Sequence, residues 1–141
     1  GVKIPIEVGD VIRYETNLKG EISYVKLVFD LSNSCLYGVT DGNDDSVAYG
    51  SDVTHAYGQI TRKIGNYICI IRNGQAEESP YLYPITTSTY IYEYDASKQD
   101  GRKARVINAG DIVALEDDPS SSDKVVLITR TGTVPFIAIY K

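Results

Sequence analysis

Asp41, Asn43 and Asp45 alternate along Asp41-Gly42-Asn43-Asp44-Asp45, and Asp52 stands at the twelfth position counted from Asp41. Hard oxygen donors at alternate positions, closed by a carboxylate at the twelfth, are the ligand pattern of a calcium loop. Two positions depart from it. Ser46 stands where the sharp turn needs glycine, and Asp52 is shorter than the glutamate that closes such loops with both oxygens. No helical pattern flanks the stretch, so it reads either as a weak calcium site or, preferably, as a solvated acidic turn. A second acidic cluster, Glu116-Asp117-Asp118 with Asp123, surrounds Pro119-Ser120-Ser121-Ser122 and reads as a hairpin loop.

The tyrosines are the other residues with chemistry to offer. Twelve Tyr stand against two Phe, with no Trp. Tyr90, Tyr92 and Tyr94 alternate and so share one face of a strand, and Tyr81 and Tyr83 are expected across from them. Stacked on a sugar ring they would make a carbohydrate platform; packed on each other they are a cross-strand ladder. The ladder is the simpler reading.

His55 is the single histidine, and no nucleophile beside it suggests an activated pair. Cys35 and Cys69 are the only cysteines. Cys69 lies in the apolar run Tyr67-Ile68-Cys69-Ile70-Ile71 and reads as a small buried hydrophobe; a Cys35–Cys69 disulfide is the alternative. No Cys-x-x-Cys or Cys/His cluster points to zinc. No catalytic residue and no cofactor is expected.

The elements that must position these residues are strands. Short alternating runs recur between Gly, Asn and Asp turns, and no segment carries a helical period, which predicts an all-β fold, a small OB-like barrel or a sandwich. Strands are expected over Val11–Glu15, Glu21–Asp30, Gly58–Ile64, Tyr67–Arg72, Tyr81–Ile85, Thr89–Tyr94, Ile112–Leu115, Val125–Ile128 and Phe136–Tyr140, with short strands around Leu36–Thr40 and Val47–Tyr49. A helical turn capped by Asp95 is expected in the polar loop that follows Tyr94. One unit occurs twice: Val8-Gly9-Asp10-Val11-Ile12 with Tyr24-Val25-Lys26-Leu27-Val28, and Ala109-Gly110-Asp111-Ile112-Val113 with Val125-Val126-Leu127-Ile128. The chain is expected to be one domain, 1–141: a partial unit over 1–30, an irregular connection over 31–57, and a complete unit over 56–141. The first strand pair should pack against or complete the second unit.

At 141 residues the chain can bury a core. Its net charge of −5 disfavours phosphate backbones and anionic lipid, so neither nucleic acid nor membrane insertion is expected. Lys98, Arg102, Lys103 and Arg105 cluster, and the expectation for them is a solvated loop. No apolar run is long enough to span a bilayer. The start at Gly1 suggests a piece of a longer protein.

The succession Gly58-x-Ile60, Gly65-Asn66-Tyr67-Ile68, Asn73-Gly74, Tyr83-Pro84-Ile85, Tyr90-Ile91-Tyr92 and Gly110-Asp111-Ile112-Val113 resembles OB-like β-barrel repeats of bacterial envelope proteins. The ending Thr129-Arg130-Thr131-Gly132 through Ile137-Ala138-Ile139-Tyr140-Lys141 resembles a module near the C-terminus of S-layer-homology surface proteins of Gram-positive bacteria. That resemblance implies an extracellular, cell-surface location. It also implies a non-enzymatic structural or interaction role toward other domains of the same polypeptide or cell-wall components. The alternatives are a carbohydrate-binding module using Tyr81, Tyr83, Tyr90, Tyr92 and Tyr94, and an envelope hydrolase fragment with His55 as its base.

Overall fold

Runs rich in Val, Ile, Thr and Tyr extend, because their branched or aromatic side chains fit a pleated surface, and the Gly, Asn and Asp between them turn the chain. The computed structural model describes residues 6–36, 46–49, 53–72, 81–115, 118 and 121–141. Its described residues are almost all strand and turn, with a 3₁₀ turn at Ala109–Asp111. In chain order come β1 (Val11–Thr16), β2 (Ile22–Asp30), β3 (Cys35–Leu36), β4 (Ser46–Tyr49), β5 (Val53–Ile64) and β6 (Tyr67–Arg72). Then follow β7 (Tyr81–Pro84), β8 (Tyr90–Tyr94), β9 (Ala104–Val106), β10 (Lys124–Arg130) and β11 (Thr133–Tyr140).

The hairpin turns are those the sequence marks. Between β1 and β2 the Asn17 side chain accepts the N–H groups of Lys19 and Glu21, and Gly20 takes φ 81°. Between β10 and β11, Thr131 and Gly132 both take left-handed φ, 48° and 77°, the geometry a two-residue hairpin loop requires.

Two sheets result. The small one has the order β1-β2-β3, and the large one runs β7-β6-β5-β10-β11-β8-β9 with β4 beside the first half of β5. Every pair is antiparallel except β8 with β11, which is parallel. On one edge β5 pairs with β10; on the other it pairs first with β4 and then with β6. Gly58 stands where β6 takes over, and a Cβ there would lie 2.3 Å from the Ile71 carbonyl oxygen. Only glycine lets the backbones approach so closely.

The large sheet curls so that β7 comes back against β11 without closing a barrel. Its inner face holds the main core, in which Ile60, Ile68, Ile70, Val125, Leu127, Ile137 and Ile139 are fully buried. Its outer face packs against the small sheet, where Tyr57, Val126 and Ala138 meet Val11, Val28, Phe29 and Leu36. The first strand pair thus packs against the larger unit, as expected.

Three expectations are corrected. Ile112–Leu115 is not a strand. The Val113 N–H donates to Asp123 Oδ2 at 3.0 Å and the Leu115 N–H to Ser122 Oγ at 2.8 Å, so side chains replace the carbonyls of a ladder. The Asp95 loop forms turns instead of a helical turn: the Asp95 carboxylate accepts the Ser97 N–H and O–H, and the chain returns as β9. The strand expected from Gly58 begins earlier, at Val53, inside the stretch expected to be irregular, where β4 matches the short strand expected at Val47–Tyr49 and, among the described residues, β3 meets the one expected at Leu36–Thr40 only at Leu36.

Candidate functional site

Strand β8 alternates strictly. Ile91 enters the main core and Glu93 is buried, while Tyr90, Tyr92 and Tyr94 point to the outer face. Glu93 is opposite Arg105 of β9, which donates to its carboxylate at 3.1 Å. Two members of the basic cluster form ion pairs, Lys103 with Asp100 at 3.2 Å and Arg105 with Glu93.

The outer face of β8 and β11 is only partly covered by the small sheet. Beside the edge of β1 it leaves a groove of about 490 Å³, walled by Ile12 and Tyr14 on one side and by Tyr90, Tyr92 and Phe136 on the other. Tyr92 and Phe136 pack with ring centres 5.6 Å apart. The closed end is at Gly9, where the Tyr140 hydroxyl donates to the Gly9 carbonyl oxygen at 2.7 Å. A Cβ on Gly9 would lie 3.0 Å from the Tyr94 ring. Behind that end an aromatic chain runs Tyr94, Tyr140, Phe29, Tyr57, with neighbouring ring centres 6.0, 5.2 and 4.8 Å apart. Burial and the Asp10 carboxylate hold the Tyr140 phenol far above its usual range, so it stays a neutral donor.

Exposure rises along both walls away from Gly9. Val11 is buried, and Tyr14 is 58% exposed; Tyr94 is half-buried, and Tyr90 is 67% exposed. The groove therefore opens toward Tyr14 and Tyr90. Among the described residues its lining includes two acids, Asp10 and Glu93, and no lysine or arginine. Both acids are engaged, Asp10 with the Glu7 and Leu31 N–H groups at 2.9 Å each and Glu93 with Arg105.

Of the residues singled out from sequence, the structure brings Tyr90, Tyr92 and Tyr94 together and leaves Tyr81 and Tyr83 elsewhere. The latter are on β7, at the opposite margin of the large sheet, where Arg72 lies 3.7 Å over the Tyr81 ring and donates to the Tyr83 hydroxyl at 2.8 Å. Sequence reasoning missed Tyr14, Ile12 and Phe136. Only the tertiary fold brings β1 alongside β8, so no local signal marked them. Asp41, Asn43, Asp45 and Asp52 lie outside the described residues. Among the described residues no group of three or more His, Cys, Asp or Glu could hold a metal ion. Asp118 bonds Ser121, and Asp123 is buried against the Lys141 ammonium at 2.8 Å. Cys69 is a buried free thiol; the Cys35 side chain lies outside the described residues.

His55 is buried on β5, within reach of the charges of Arg13 on β1 and Lys26 on β2. Burial, then the positive charges of Arg13 and Lys26, lower its pKa to about 4, so it is neutral at pH 7. It does not line the aromatic groove. Among the described residues no helix is long and apolar enough to cross a membrane.

No family of known proteins matches this chain, and neither a curated protein nor a solved structure shows significant similarity to it.

Proposed function

We propose that this chain is a non-enzymatic interaction module of a larger bacterial cell-surface protein, with the groove between β1 and β8 as its contact surface. The observation that carries the reading is the row of exposed rings there. Soluble proteins seldom leave a contiguous aromatic patch open to water unless something binds it, and Tyr is enriched at contact surfaces because its ring buries well while its hydroxyl stays polar. The cell-surface location rests on the S-layer-type resemblance of the strand and turn residues. Against the hydrolase alternative, the sole histidine is buried and does not line the groove.

The carbohydrate reading has one specific observation in its favour: Tyr90, Tyr92 and Tyr94 do share the groove, as stacking platforms would. The test is sedimentation of the purified chain with Gram-positive cell-wall sacculi that retain their attached proteins and polymers. Saturable binding is expected, weakened about tenfold or more in Tyr92→Ala. Absence of binding, or binding indifferent to Tyr92, overturns the proposal. A glycan array then separates the readings, because saturable glycan binding lost in Tyr92→Ala makes the partner a carbohydrate.

A further inference from the structure

We infer that the groove receives an extended polypeptide segment, which adds as a strand to the free edge of β1 and lays alternate side chains on the tyrosines of β8. The inference deepens the interaction-module reading and rests on it.

The first support is which part of β1 faces the groove. Gly9, Asp10, Val11, Ile12 and Tyr14 all line it. Successive side chains of a strand point to opposite faces. Gly9 and Asp10 form the turn before the strand, Val11 and Ile12 line the groove at a register shift in the pairing with β2, and Ile12 and Tyr14 share a face toward it, so β1 borders the groove along its length. Among the described residues β1 pairs with β2 alone. Its other edge presents N–H and C=O groups to the groove, and such a row is a template for another strand.

The second support is the ledge beneath. Val11 and Ala138 share the outer core, and the Tyr140 hydroxyl reaches Gly9, so β11 lies under β1. The large sheet continues past that point with β8 and β9. Tyr92 of β8 is paired with exposed Val106 of β9. The uncovered shelf is one or two strands wide at the usual spacing of about 4.8 Å. An added strand would continue the sheet β3-β2-β1 over a floor of Tyr90, Tyr92 and Phe136. A second copy offering its own β1 does not fit: its β11 and β8 would need the ground that β8 and β9 occupy here.

The third support is polarity and charge. Recognition of a sugar needs several side chains placed to bond hydroxyl groups. The two carboxylates in this lining are already bonded, which leaves the tyrosine hydroxyls as the side-chain groups available to a sugar, while the rest of the lining is apolar or backbone. Among the described residues the lining has acids and no cation, and the chain carries −5, which favours a neutral or basic occupant. A peptide with alternating apolar side chains meets both conditions, with main-chain bonds supplying affinity and the tyrosine floor supplying preference.

The test uses the full 141-residue chain, immobilised, and a phage-displayed library of random dodecapeptides. Enrichment of neutral or basic sequences with alternating apolar residues is expected. In the best synthetic peptide, N-methylation at every second amide should abolish binding, while methylation at the amides between should be tolerated, because only alternate N–H groups of an added strand face β1. Tyr14→Ser, at an exposed position, should weaken it about tenfold, and slowed amide exchange along β1 should accompany binding. No enriched peptide, or methylation effects without alternation, overturns the inference. If sacculi bind through Tyr92 while no peptide does, this inference fails and the interaction module stands. If neither binds, both fail.

Discussion

The turns Glu7–Asp10 and Asn108–Asp111 are built alike and lead to different structures. In each, the aspartate N–H donates to the carbonyl three residues back, at 3.1 and 2.9 Å, and its carboxylate accepts the N–H of that same residue, at 2.9 and 3.1 Å. Beyond the turn they diverge. Asp10 also accepts the Leu31 N–H, which ties the turn to the far end of β2, and the chain extends as β1. After Asp111 the chain runs past Ser122 and Asp123, whose side chains intercept its N–H groups, and no strand forms. The matched strands differ as well. β10 lies inside the large sheet between β5 and β11, with a core on each face, whereas β2 is buried only at Leu27, Val28 and Phe29. A strand is thus buried where neighbours cover both faces and left largely exposed where they do not.

The largest expected break in this comparison is at His55, which is buried within reach of the Arg13 and Lys26 charges of the first hairpin. Its folded pKa of about 4 is below the unfolded value of 6.5. The unfolded chain therefore binds a proton more readily, and stability present above pH 6.5 is lost as pH falls toward 4. The full loss is roughly 3 kcal/mol. Urea unfolding at several pH values should show that slope, and His55→Leu should flatten it. An equal slope in the variant would remove the hairpin's charges from the account. Asp30 and Asp95, whose carboxyls are held below 3.8 by their Ser32 and Ser97 hydrogen bonds, act only at lower pH.

Matched valines sharpen the comparison next. Val125 is fully buried and Val25 is 41% exposed. Val125→Ala should lower unfolding free energy by about 2.5 kcal/mol through lost burial and a residual cavity, and Val25→Ala by no more than about 0.5 kcal/mol. Equal losses by denaturant titration would mean that β2 is covered in solution.

The glycines should differ in the opposite sense. Gly9 has φ 102°, and a Cβ there would lie 2.4 Å from Leu31 Cδ2, whereas Gly110 faces open space. Gly9→Ala should cost about 2 kcal/mol, and Gly110→Ala should be neutral or stabilise by a few tenths, about 0.4 kcal/mol. Thermal melts of the two variants measure this directly, and a Gly110→Ala loss matching that of Gly9→Ala would contradict it.

The smallest difference is expected at the aspartates. Asp10→Ala removes acceptors from two N–H groups and Asp111→Ala from one. The losses should be about 2 and about 1 kcal/mol. Additivity in the double variant is expected from their separation in the fold, and strong coupling would show that the two turns communicate.

By itself the sequence determined the fold class, most strand positions and the turns. Period-two alternation and turn-forming residues act over a few neighbours, so Tyr67–Arg72 and the Thr131-Gly132 turn are legible without any distant contact. It also determined that Tyr90, Tyr92 and Tyr94 share a face, because that follows from the pleat alone. Tertiary structure decided which faces are covered. Nothing local distinguishes Val25 from Val125, or marks Ile112–Leu115 as a stretch whose partners would be the side chains of Ser122 and Asp123. Nothing local places β1 over β11, pairs β8 in parallel with β11, or moves Tyr81 and Tyr83 to the other margin of the sheet. Those outcomes depend on contacts between residues far apart in the chain, such as the Tyr140 hydroxyl on the Gly9 carbonyl. The groove exists because the small sheet is narrower than the large one it packs against.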